Sequence, residues 1–140
     1  MNKEAVDIWI KALRSGMFPQ TERYLVTTEG YCCLGVACNL YNNIEGGLDV
    51  TFHEAEVHDV DDPTDISAAH WEYNGETSIL PETVREWLGL KSYSGELIIY
   101  NNDGSQDDIT SLASLNDRGL TFDQIADVIE FGPTNLFRKD

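Results

Sequence analysis

From Tyr24 to Val84 the sequence has neither lysine nor arginine, yet that stretch holds twelve carboxylates, the first Glu29 and the last Glu82. Over all 140 residues, 9 Lys and Arg face 25 Asp and Glu, a formal charge of −16 with His neutral. Such a surface repels phosphate backbones and anionic lipid, which excludes nucleic-acid or membrane binding by simple attraction. Long apolar runs are missing too. No stretch approaches the roughly 20 apolar residues of a membrane helix, and no apolar run follows the first charges as in a secretory leader. Cysteine is scarce and clustered: Cys32, Cys33 and Cys38 share one short segment without CxxC spacing. Adjacent cysteines rarely bridge, so neither a disulfide framework nor a zinc knuckle is expected, and the sequence reads as that of a cytoplasmic protein. No glycine-rich loop precedes a helix carrying Lys, and Glu45-Gly46-Gly47 would meet phosphate with negative charge.

What is present is enough for one core. With 41% hydrophobic and 10% aromatic residues the chain can order itself, and its length suits a single domain. Val6, Trp9, Ile10 and Leu13 follow the i, i+3, i+4, i+7 pattern of a helix from about Asn2 to Ser15, capped by Asn2 and ended by Gly16. Tyr24 to Thr28 favours a strand, Glu29-Gly30 a turn, and a second helix opens near Cys32. Leu48, Val50 and Phe52 alternate as in a strand, but the phase fails at Glu54, which predicts an irregular loop around Asp61-Asp62-Pro63.

Regular structure resumes at Leu80-Pro81, with Pro81 expected at the first helical position and Gly89 at the stop. Leu97 to Tyr100 reads as a strand closed by an Asn102-Asp103-Gly104 turn, followed by a short helix capped by Asp108 or Thr110. Thr121 and Gln124 form a capping box flanked by Leu120 and Ile125 at the staple positions, and Gly132-Pro133 ends that last helix. The expected architecture is α+β: four or five short helices around a small antiparallel sheet. Residues 1–140 form a single domain, with an acidic irregular insertion at about 44–79.

Three blocks carry a resemblance. They are Tyr31-Cys32-Cys33-Leu34-Gly35-Val36-Ala37-Cys38, Leu80-Pro81 through Trp87-Leu88-Gly89-Leu90, and Leu115-Asn116-Asp117 through Phe122, Ile125, Ala126 and Ile129. Together with Trp9 and Ala12 to Gly16, they make the chain similar to a family of small uncharacterised bacteriophage and prophage proteins. The resemblance implies no reaction. It implies a phage-encoded accessory protein in the host cytoplasm that binds a host protein or small host metabolite, with counter-defence as one such role.

Four sets of residues are candidates for chemistry or contact. A thiol at a helix N-terminus gains from the unpaired N–H groups and the helix dipole, which makes Cys33 a candidate nucleophile. Cys33-Leu34-Gly35-Val36 also resembles the segment where papain-like peptidases place theirs. Such an enzyme needs a His, and His53, His58 and His70 are available, though none has a recognisable strand context. The other reading of Cys33 is a small buried hydrophobe.

Glu54, Glu56, Asp59 and Asp61, with Asp62, His53 and His58, form an acidic cluster. Its spacing matches neither HExxH nor an EF-hand loop, so no metal is expected and a solvated acidic surface is. Asn101-Asn102-Asp103-Gly104-Ser105 fails the EF-hand pattern as well, its Gly arriving too early. Asn116, Asp117 and Arg118 offer donors and acceptors for a polar ligand, or else a helix C-cap and turn with Asp117 paired to Arg118. Trp71, in a polar stretch, suits an exposed anchor for a partner, whereas Trp9 and Trp87 lie on helix stripes. A phosphate-bearing ligand would require Arg14, Arg23, Arg85 or Arg118 to converge.

The leading expectation is a non-enzymatic binding protein that sequesters or blocks a host factor, without a cofactor. The alternatives are a cysteine hydrolase built on Cys33 and an acidic mimic of nucleic acid acting through the middle segment. A homo-oligomer is compatible with all three.

Overall fold

The computed structural model describes residues 2–100 and 103–138. The first helix, α1, covers Lys3–Arg14, and the Asn2 side chain caps it by accepting from the Ala5 N–H at 3.3 Å. Its apolar stripe is buried at Val6, Trp9 and Leu13. After a loop, β1 (Val26–Thr27) and β2 (Gly30–Tyr31) form a tight antiparallel pair that feeds directly into α2 (Cys33–Ile44). The first half of α2, from Cys33 to Cys38, is buried on every side, as befits a helix at the centre of the core.

Gly35 explains how α2 can sit so close to the strand before it. A Cβ there would fall 2.6 Å from the Leu25 carbonyl carbon and closer still to its oxygen, an oxygen that already accepts from the Cys32 N–H at 3.0 Å. Trp9 secures the same helix from the other side, its Nε1–H donating to the Cys33 carbonyl at 2.9 Å.

The acidic middle is where the structure departs from the sequence reading. The expected irregular insertion at about 44–79 contains four strands: β3 (Val50–His53), where the alternation placed one, and, beyond it, β4 (Glu56–Asp59), β5 (Asp62–Ser67) and β6 (His70–Tyr73). Asp61-Asp62-Pro63, expected in a loop, lies at the β4–β5 turn and the start of β5. The alternation fails at Glu54 because the chain leaves one sheet there and begins another. The first sheet has the order β2-β1-β6-β3, all antiparallel, and β4 and β5 pair only with each other. All of β4 is exposed, so no buried face exists to impose a pattern on its sequence.

Beyond the sheet, α3 (Glu82–Leu88) packs on α1 and α2. Pro81 is its N-cap, one position earlier than expected, and Gly89 ends it in the left-handed region at φ 78°. A hairpin of β7 (Glu96–Tyr100) and β8 (Gln106–Ser111) follows. The segment Asp108 to Thr110, expected to cap a helix, pairs instead with Leu97 to Ile99, and Ser111 is the cap of α4 (Leu112–Asp117). Asn101 and Asn102 of the expected turn lie outside the described residues.

The last helix, α5 (Phe122–Phe131), has the full capping box between Thr121 and Gln124 and ends at Gly132 with φ 70°. It lies along α1, joined there by Arg14, which bridges to Asp127 at 2.9 Å and Glu130 at 2.5 Å. The core thus draws on both ends of the chain, with Trp9, Leu34, Leu88, Leu112, Ile125 and Leu136 all fully buried. Each such side chain contributes about 1.5–3 kcal/mol. Five helices and three small antiparallel sheets among the described residues form an α+β domain.

Candidate functional site

Cys33 is not placed for nucleophilic chemistry. It is fully buried, its Sγ lies 3.6 Å from the Leu112 carbonyl as a donor, and burial pushes its thiol well above the ordinary range, with the Cys32 sulfur adding to the effect. Cys32 is the N-cap of α2, accepting from the Gly35 N–H at 3.4 Å. That contact favours a thiolate, yet burial outweighs it and pushes the Cys32 thiol up to about 11. Burial likewise pushes Cys38 well up. The helix N-terminus supplies the donors expected from sequence, but desolvation of a charge in an apolar core is the larger effect.

The three histidines lie on strands, contrary to expectation, and their ring nitrogens are engaged elsewhere than at Cys33. On β3, His53 Nε2 pairs with Glu72 at 2.5 Å; on β4, His58 bonds Ser67; on β6, His70 Nδ1 meets the Ala68 carbonyl at 2.8 Å. His53 and His70 are direct cross-strand partners with stacked rings 5.1 Å apart, and Tyr24 stacks on the far side of His70 at 4.2 Å. Among the described residues, no three His, Cys, Asp or Glu side chains converge in an arrangement that could hold a metal ion.

Asn116, Asp117 and Arg118 divide into separate roles. Asn116 is fully buried and acts as a fastener. Its Oδ1 accepts from the Cys33 N–H at 3.2 Å and from Gln20 Nε2 at 2.9 Å, while its Nδ2 donates to the Thr21 carbonyl at 2.8 Å. With those groups paired inside the protein, Asn116 is not a ligand contact. Asp117 does not pair with Arg118, as expected from their adjacency, but accepts from the Arg23 N–H at 2.9 Å. Arg118 is the exposed C-cap of α4. The pattern that suggested a ligand grip instead ties residues 20–23 to the end of α4 across more than ninety residues of sequence.

Trp71 is half-buried against the core, its ring 4.7 Å from that of Phe52, so it is a packing residue and not a free anchor. Glu54, Glu56, Asp59 and Asp61 are all exposed. They lie on and around the β4–β5 hairpin, an arm on which apolar side chains are also bare: Val57 and Ile66 are about half exposed and Val60 is 91% exposed. Neither Arg14 nor Arg85 is free for a phosphate. Arg14 bridges α5, and Arg85 is held by Glu82 at 2.6 Å within α3.

Two of the grooves among the described residues are the more spacious. One, of about 620 Å³, runs between β7 and α5 past Leu97, Ile99, Leu120, Val128, Phe131 and Pro133. Among the described residues its single carboxylate is Asp127, the one already paired with Arg14, and the rest of its lining is largely apolar. The other, of about 600 Å³, lies where the base of the arm meets Tyr24 and Thr27 and mixes polar groups with Ala55, Ile66 and Ala68.

Asn116, sequestered in the core, is the residue whose role sequence reasoning missed. Its signal was its position at the end of a short helix whose other inward residues, Leu112 and Leu115, are apolar. No curated protein and no solved structure matches the chain. A family model described as Domain of unknown function (DUF8296) matches residues 1–132, a span that includes all five helices, the Cys-bearing centre and the acidic strands alike. The chain therefore belongs to the DUF8296 family.

Proposed function

We propose that this is a non-enzymatic binding protein that engages a cationic protein partner through its acidic middle segment. The setting we propose is that of a phage-encoded accessory protein that sequesters or blocks a host factor. The observation that carries the reading is the β4–β5 arm. A lone two-stranded hairpin is marginally stable in water, and this one presents Val57, Val60 and Ile66 to solvent among carboxylates on a stretch without lysine or arginine. Apolar side chains ringed by one sign of charge are what a partner of the opposite sign can cover, the charges steering encounter and the apolar groups holding the complex. The interleaved apolar residues favour a protein partner over pure mimicry of a polyanion.

Affinity capture from host lysate, run at low and high salt with the native chain and with an E54Q/E56Q/D59N/D61N variant, tests the reading. A partner retained by the native chain at low salt and lost by the variant is expected. Equal capture by both, or no partner for either, would overturn it.

A further inference from the structure

The two edges of the four-stranded sheet differ. At the β2 edge, residues 19–21 close the ladder: the Tyr31 N–H donates to the Pro19 carbonyl at 2.8 Å and the Thr21 N–H to the Tyr31 carbonyl at 2.7 Å. The β3 edge has no such cover. The Asn74 N–H donates to the Asp49 carbonyl at 2.8 Å, and the Asp49 N–H donates to Asn74 Oδ1 at 2.7 Å. In an antiparallel ladder bonded pairs alternate, so Thr51 and His53 also face β6, and Val50 and Phe52 turn their N–H and C=O groups outward. No described residue bonds those four groups.

The side chains at this edge are similarly open. Val50 is 43% exposed and Phe52 45%, although both point to the face that carries Trp71 and Tyr73. Exposed edges in soluble proteins are commonly blunted by Lys, Pro or a bulge, and β3 has none of these. What surrounds it is negative: Asp49 precedes the strand, Glu54 and Glu56 follow it, and Glu72 lies opposite Thr51 on the outer face. A second copy docked here would bring a matching set of carboxylates against these. A basic segment would be drawn in.

We propose that β3 is a docking edge, on which an extended basic segment of a protein partner adds as a fifth strand of the sheet. Its main chain pairs with the outward groups of Val50 and Phe52. Its alternate side chains divide between the apolar face of Val50, Phe52 and Trp71 and the opposite face, where Asp49 stands beside Glu72, whose carboxylate His53 also holds. Strand addition of this kind takes affinity from the main chain and specificity from alternate side chains. The proposal rests on the binding reading above and gives it a site and a partner chemistry.

The test uses the full chain labelled with nitrogen-15 and a short blocked peptide of alternating Lys and Val, with a Glu–Val peptide as control. At a peptide concentration about ten times its Kd, exchange of the Val50 and Phe52 amides is expected to slow about tenfold. Added salt should weaken the effect, and the Glu–Val peptide should give none. Val50→Pro removes one outward donor at an edge position where proline is tolerated, and is expected to abolish binding while leaving the remaining amide spectrum in place. Should that variant misfold, Phe52→Lys, which charges the edge and keeps every N–H, is expected to do the same. Three results would overturn the edge: protection at Val57 and Ile66 with β3 unchanged, equal binding by both peptides, or slowing of the β3 amides with protein concentration in the absence of peptide. The first of these would leave the arm, and with it the broader binding reading, intact. Failure of the Lys–Val peptide to bind anywhere would count against the edge, while the lysate capture separately decides the broader reading.

Discussion

Replacing Asn116 is expected to be among the most damaging single changes in this protein, and to act on stability. Asn116→Ala strips partners from the Cys33 N–H and the Thr21 carbonyl, while Gln20 keeps its bond to the Leu120 carbonyl at 2.7 Å. A buried group left unpaired costs about 1–3 kcal/mol. The Cys33 N–H is such a group, whereas the Thr21 carbonyl is only part-buried and adds less, so the loss is about 1–3 kcal/mol, a sizeable share of the roughly 5–15 kcal/mol by which a domain is stable. Urea unfolding followed by tryptophan fluorescence, to which buried Trp9 contributes with Trp71 and Trp87, measures the loss.

Asn116→Asp sharpens the argument because it keeps the acceptor and changes only the donor into a carboxylate facing the Thr21 carbonyl. Burial raises the pKa of that carboxyl above its unfolded value of about 3.9. With a raised folded pKa, the variant keeps its stability below about pH 4 and loses it as pH climbs toward the folded pKa. The gap between variant and native midpoints should therefore widen from pH 4 upward. An Asn116→Ala protein within about 0.5 kcal/mol of native, or an Asn116→Asp gap that does not vary with pH, would refute the fastener role.

Further predictions concern the core and the arm. Gly35→Ala would ordinarily stabilise a helix by about 1 kcal/mol, but here the new methyl meets the Leu25 carbonyl, so net destabilisation of about 1–3 kcal/mol is expected in a urea titration. Cys32, with its thiol pushed up to about 11, and the equally buried Cys33 and Cys38 should resist a thiol reagent at neutral pH in the folded protein and react together once it is unfolded. Rapid labelling of one of them in the native state would contradict their burial. Thr121→Ala removes half of the capping box and should lower stability by about 1 kcal/mol, read as a shift in thermal midpoint.

Where local sequence and packing agree, the fold was legible. The stripe of α1, the capping box of α5 and the glycine stops of α3 and α5 each rest on contacts within a turn or two of chain, and each stands where its pattern placed it. β8 was not legible, because Asp108 and Thr110 look like helix caps until a partner strand claims them, and that partner is a tertiary fact. β4 was hidden for the opposite reason, since a strand exposed along its whole length leaves no alternation to read. At the candidate site the residue types pointed the right way and burial reversed them. Cys33 stands at a helix N-terminus but in the dry core, and Asn116 has its donors and acceptors consumed inside the protein.

The tie between residues 20–23 and the end of α4 bears on the order in which the protein can assemble. Cys33 obtains the partner for its N–H from Asn116, and α1 makes its most extensive helix contact with α5, at the other end of the chain. Closing such distant contacts costs chain entropy before any burial rewards it, so folding should be slow for a domain of this size and rich in helix. During synthesis, α2 stays without its lid until the last helices leave the ribosome. Until then the face that α4 covers is open, and a chain stalled before α4 would present to chaperones and proteases the Cys33 side of a segment that the finished protein keeps dry.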